Sequence, residues 1–143
     1  MIGYKTRLFL ILWTVGIVGV LSFLRSLGGL TQIEPASIKY LIENDRTAVF
    51  IDARDAAAFR KGTVPGAKNL PRALLTPGKD TGEVKAAKDD GRLPMEDHNT
   101  RIVVFGDNSG QAIAVAEAIM NEAFHNVMFF GGSYDQFKAA SER

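Results

Sequence analysis

Between Val103 and Ile119 the chain reads VVFGDNSGQAIAVAEAI. An apolar run gives way to small and polar residues. Ile113, Ala116, Ile119 and Met120 then recur at helical spacing, with Glu117 at the edge of that face. A strand, a short loop and a helix in this order can present a nucleophile or grip an anion, because the first amides of a helix lack intrahelical partners. The loop consists of Gly106, Asp107, Asn108, Ser109, Gly110 and Gln111. It contains no cysteine, histidine, lysine or arginine. Asp107 could form a covalent intermediate. Phosphoryl transfer through a carboxylate also calls for a metal, a base and cationic clamps, and no such set accompanies it here. The simpler role for Asp107, Asn108 or Ser109 is to cap the helix starting near Gly110. Asp107 could also fold back on the free amides and compete with an external anion.

The other polar candidates are few. Asp52 and Arg54 follow the apolar run Ala48–Ile51. Asp52 is expected to accept hydrogen bonds that fix neighbouring loops, and Arg54 to pair internally. His98 lies in Glu96-Asp97-His98, but adjacent residues do not converge on one ion without a special turn, and no spaced partner is visible. A solvated loop is the expected setting for His98, and a turn for His125. No metal and no cofactor is expected.

The elements that must position these residues alternate. A helix opens at Glu34-Pro35-Ala36-Ser37 and carries Ile38, Leu41 and Ile42. Ala48–Ile51 suits a buried parallel strand, and Asp55 can cap a short helix through Lys61 that Gly62 stops. Val64–Ala67 reads as a turn and Lys68–Leu70 as a short strand. Glu83–Asp89 is a candidate helix within a polar stretch. Arg101–Phe105 and Val127–Phe130 are strands, and Tyr134–Ala140 is a helix. The pattern predicts an α/β fold with a parallel sheet covered on both faces. The loops at the carboxyl ends of its strands would form a crevice.

Composition narrows the function. The chain has 143 residues, a formal charge of +1 and no cysteine. Charge this balanced disfavours a nucleic acid partner. The lack of cysteine removes disulfides, thiolate metal sites and every cysteine nucleophile. Leu8–Leu24 is a 17-residue run without a charge. As a helix it would reach ~26 Å, near the low end for a membrane span. It is apolar all round and reads as one transmembrane helix rather than a cleaved signal peptide or a buried soluble helix. Lys5 and Arg7 before it lean towards a cytoplasmic N-terminus, against Arg25 after it. The remainder would then lie on the non-cytoplasmic side, in the periplasm if the protein is bacterial. The expected organisation is an anchor over residues 1–25, a tether over 26–35 and a folded domain over 36–143.

Two blocks carry a family resemblance. The first is Ala48-Val49-Phe50-Ile51-Asp52-Ala53-Arg54, continued by Phe59 and by Gly62-Thr63-Val64-Pro65-Gly66-Ala67-Lys68-Asn69-Leu70-Pro71. The second is the strand–loop–helix above with Val127-Met128-Phe129-Phe130-Gly131-Gly132. Together they resemble the rhodanese-like domain, whose hallmarks are a strand ending Asp-x-Arg, a Gly-His-Ile-Pro-Gly-Ala turn and a glycine pair after the last strand. The resemblance implies structural roles for Asp52, Arg54, Gly62, Pro65, Gly66, Ala67, Gly131 and Gly132. Phe137 stands where the family often has tryptophan. Active relatives place a persulfide-forming cysteine at the start of the loop after the central strand, in a Cys-x-x-Gly-x-Arg pattern. Aligned on Gly110, the cysteine position is Asp107 and the arginine position Ala112. Aligned on the strand, the cysteine position is Gly106. Thr63 replaces the histidine of the turn, and Ala58 a frequent acid. The resemblance implies the fold and argues against the sulfur chemistry.

The expected function is therefore that of a membrane-anchored, catalytically inactive rhodanese-like module that binds, scaffolds or regulates a protein partner. A small-anion or ligand sensor, and an enzyme using a residue such as Asp107, are the alternatives.

Overall fold

The computed structural model describes residues 30–143, and the apolar run 8–24 expected to span a membrane lies outside the described residues. Among the described residues no helix is long and apolar enough to cross a membrane. The strands are β1 (Leu30–Gln32), β2 (Val49–Asp52), β3 (Lys68–Asn69), β4 (Ile102–Phe105) and β5 (Val127–Phe129). The helices are α1 (Pro35–Asn44), α2 (Ala56–Lys61), α3 (Glu83–Asp89), α4 (Ser109–Met120) and α5 (Tyr134–Glu142), with a 3-10 turn at Arg72–Leu74. The strands form one five-stranded sheet in the order β1-β5-β4-β2-β3. Every pairing is parallel.

Strand periodicity divides the core. Side chains alternate across a strand, so Ile102 and Val104 leave one face of β4 while Val103 and Phe105 leave the other. The first pair packs with Ile51, Leu70, Leu93, Val115 and Ile119 under α3 and α4. The second packs with Ile33, Ile38, Leu41, Phe50, Phe130 and Phe137 under α1 and α5. All four residues of β4 are buried, as the continuous apolar run required.

Three expectations need correction. Leu30–Gln32, assigned to the tether, is a strand paired in register with Val127–Phe129, and Ile33 behind it is buried. The pattern 2–3 residues long was too short to give a period. Ile42, grouped with Ile38 and Leu41 by its helical spacing, is 38% exposed, while Ile38 and Leu41 form the buried face of α1. In α4 the fully buried residues are Ala112, Val115, Ala116 and Ile119. Ile113 and Met120 lie at the margin of that core.

Candidate functional site

Parallel strands put the loops after β2, β4 and β5 on one edge, and these three strands are neighbours in the sheet. The crevice-forming loops of the sequence reading are thus brought together. At their centre lies a buried ion pair. Asp52 is fully buried at the end of β2, and Arg54 is 7% exposed. Arg54 Nε donates to Asp52 Oδ1 and Oδ2 at 3.1 and 3.2 Å, and Nη2 donates to Oδ2 at 2.8 Å. Nη2 also donates to the Gly62 carbonyl at 2.7 Å. The Arg54 amide and the Thr63 hydroxyl donate to the same carboxylate, at 2.9 and 2.8 Å. Thr63, standing where the resemblance implies histidine, thus completes the shell around Asp52.

Asn69 ties the arrangement together. Its side-chain amide donates to the carbonyls of Asp52 and Arg54, both at 2.9 Å. The turn between them is shaped by Pro65 and Gly66. Gly66 has φ +85°, and the Ala67 amide donates to the Val64 carbonyl at 3.1 Å. Proline followed by a positive-φ residue is the pattern of a type II turn, which glycine adopts without steric cost. Above the pair, the Tyr134 ring lies 3.4 Å from the Arg54 guanidinium carbon. Burial alone would lower the pKa of Arg54. The hydrogen bond and charge of Asp52 outweigh it, with Tyr134 and Asp107 adding to them, so the guanidinium is held more firmly protonated than usual. Sequence reasoning missed Asn69 and Tyr134 as members of this cluster. Asn69 lay within the quoted motif block, whereas Tyr134 carried no sequence signal.

The Gly106–Gln111 loop closes on itself. Asn108 is the N-cap of α4, and its Oδ1 accepts from the Gln111 amide at 2.9 Å. The Gln111 side chain folds back so that Oε1 accepts from the Asp107 amide at 2.7 Å. Its Nε2 reaches Asp107 Oδ2 at 3.5 Å. A Cβ at Gly106 would collide with that same Gln111 oxygen. The expectation that Asp107 folds back on the free amides is therefore corrected: the side-chain oxygens of Gln111 and Asn108 take the Asp107 and Gln111 amides, and the exposed Asp107 carboxylate meets only the Gln111 side chain. The same device recurs at α5. Ser133 caps the helix, Gln136 returns its Oε1 to the Ser133 amide at 2.9 Å, and a Cβ at Gly132 would meet Gln136. Gln32 covers Gly131 likewise. Beside this glycine pair opens a cleft of about 420 Å³ bordered by Phe130, Gln136 and Arg143.

Replacing Asn108 with alanine should remove the cap and cost about 1 kcal/mol, read as a lower urea midpoint at unchanged m-value. An unchanged midpoint would mean that Asn108 does not hold the helix start.

The histidines lie elsewhere. His98 precedes β4, at the opposite end of the sheet. It is not simply solvated as expected: its ring packs at 5.0 Å, edge to face, with Phe124, and its Nε2 is buried. The His125 amide donates to the His98 carbonyl at 2.9 Å, so the two histidines staple neighbouring turns. Among the described residues no three histidine, aspartate or glutamate side chains gather in a way that could hold a metal ion.

Comparison with known proteins agrees with this geometry. Residues 34–140 match the Rhodanese-like domain family. The chain belongs to the rhodanese-like domain family. No curated protein matches the sequence. Among solved structures, wild-type EanB is similar at 24% identity with a TM-score of 0.57, over 71% of this chain and 24% of that one. An EanB variant with ergothioneine covalently linked to a cysteine persulfide is similar at 24% identity with a TM-score of 0.56, over the same shares, 71% and 24%. The rhodanese-like domain of the Anabaena sp. protein Alr3790 is similar at 19% identity with a TM-score of 0.59, over 76% of this chain and 73% of that one. This chain thus spans about a quarter of the length of EanB. These likenesses establish the fold alone. This rhodanese-like domain has no cysteine at any position.

Proposed function

We propose that the protein is a membrane-tethered, non-catalytic rhodanese-like module that recognises a protein partner through the loops after β2, β4 and β5. The observation that carries this reading is the Gly106–Gln111 loop. It keeps the strand–loop–helix framework, lacks a nucleophilic thiol, and engages its Asp107 and Gln111 amides with the Gln111 and Asn108 side chains. A persulfide of the kind named for EanB needs a cysteine sulfur, which this chain does not have. The tether enters from the apolar run 8–24. Confinement to a membrane raises the effective concentration of the domain near other proteins there.

The test uses the full-length protein in its native membrane. Crosslinking should capture a partner that is lost when Asp107→Arg remodels the loop, while thiosulfate:cyanide sulfur transfer stays at the buffer rate. An identical set of crosslinked proteins with and without the substitution would remove recognition from this edge. Sulfur transfer or phosphate release that Asp107→Ala abolishes would replace the module with an enzyme.

A further inference from the structure

We infer that the domain stands on the membrane by the edge of its sheet where the strands begin, and holds the loop edge towards water. The surface assigned to recognition would then meet the extramembrane part of a protein partner, not lipid and not a membrane-embedded helix. This rests on the membrane-tether reading above.

The chain enters the sheet at Leu30, and every other strand runs parallel to β1 through the registers Leu30↔Val127, Ile102↔Val127 and Val49↔Ile102. Whatever precedes Leu30 is therefore joined to the edge where all strands start. Only Arg25–Gly29 separates the apolar run ending at Leu24 from β1. Fully extended, that connection reaches at most about 20 Å. The strand-start edge cannot move further than this from the apolar run. The loops lie at the other ends of the strands. At a rise of ~3.3 Å per residue, β2 and β4 add ~13 Å before the loops begin.

Charge does not separate the two edges, so the topology alone carries the orientation. The helix following each of β1, β2, β4 and β5 has an exposed acid at or beside its start: Glu34, Asp55, Asp107 and Asp135. Among the described residues none of them has a cation within salt-bridge distance. Arg54 is neutralised by Asp52, while Arg60 and Lys61, just before Gly62, and Arg72, whose amide donates to the Ala53 carbonyl, add cations to this edge. Acids here also favour the helix dipoles, which explains their presence structurally. The strand-start edge is mixed, with Arg46, Lys68 and Arg101 among Asp45, Glu96 and Asp97.

Because the chain is free of cysteine, single thiols report position cleanly. His125 and Asp135 are exposed and flank the two ends of β5. The full-length protein carrying His125→Cys or Asp135→Cys is labelled with a fluorophore and reconstituted into phosphatidylcholine–phosphatidylglycerol vesicles containing a headgroup-attached quencher. Quenching should be severalfold stronger at position 125 than at 135. Equal or reversed quenching in protein that floats with the vesicles would overturn this orientation and leave the tether intact. Protein that fails to float with the vesicles would overturn the tether reading, and the orientation with it.

Discussion

Arg54→Ala should destabilise the domain by about 3–5 kcal/mol, the range seen when one partner of a buried ion pair is removed. The size follows from what stays behind. Asp52 is fully buried, and without Arg54 it keeps only the Arg54-position amide and the Thr63 hydroxyl as donors. The Gly62 carbonyl and the Tyr134 ring lose their contacts in the same step. Arg54→Lys should recover only part of the loss. An ammonium is a point charge and cannot bridge both carboxylate oxygens and the Gly62 carbonyl as the planar guanidinium does. Removing both partners, as in Asp52→Ala with Arg54→Ala, should cost less than the sum of the single changes, because no uncompensated charge is then buried. Urea unfolding of the four proteins followed by circular dichroism decides this. A single-mutant loss below about 1 kcal/mol would place the pair among weakly contributing surface contacts instead.

Phe137→Ala should be comparably severe, at about 3–5 kcal/mol. Phe137 is fully buried and stacked on Phe105, with ring centroids 4.1 Å apart and planes 8° from parallel. Phe130 meets it edge-on at 5.3 Å, and Phe50 lies 6.4 Å away. Truncation therefore opens a cavity among three aromatic rings that belong to β2, β4 and the end of β5. The effect should also travel. Tyr134 also stacks with Phe105, at 6.0 Å between centroids, and covers Arg54. Loosening Phe105 loosens that cover, so Phe137→Ala and Arg54→Ala should be non-additive in a double-mutant cycle. Phe137→Leu, which refills much of the volume, should lose less. Strict additivity would show that the aromatic stack and the ion pair are independent.

The parts of this fold that were legible in the sequence are those whose signal is local. Arg101–Phe105 reads as a buried strand because an uninterrupted apolar run in a βα alternation has few other homes, and Glu83–Asp89 reads as a helix from composition and spacing. The Pro65-Gly66 turn announces itself through the two residues whose backbones are special. Leu30–Gln32 was not legible. Its three residues acquire strand character only by pairing with Val127–Phe129, nearly a hundred positions away. The site divides in the same way. A polar cap in the 106–111 loop could be foreseen, since Asn108 is a good capping residue. That Gln111 would take the Asp107 amide could not, because this depends on a glycine at 106 leaving room for the returning side chain. Tyr134 over Arg54 depends on two loops from different strands meeting, which no window of sequence contains.

The closed loop has a consequence for the history and the engineering of this chain. Gln111 behaves as a ligand that cannot diffuse away, held at its own receptor by four residues of backbone. An external anion seeking the Asp107 amide must displace it. A cysteine placed at position 106 or 107 would meet the Asp107 and Gln111 amides already engaged. A cysteine at 106 would in addition push its Cβ into the Gln111 amide. Sulfur at this position therefore requires the flexible Gln111 side chain to swing aside from the Asp107 amide.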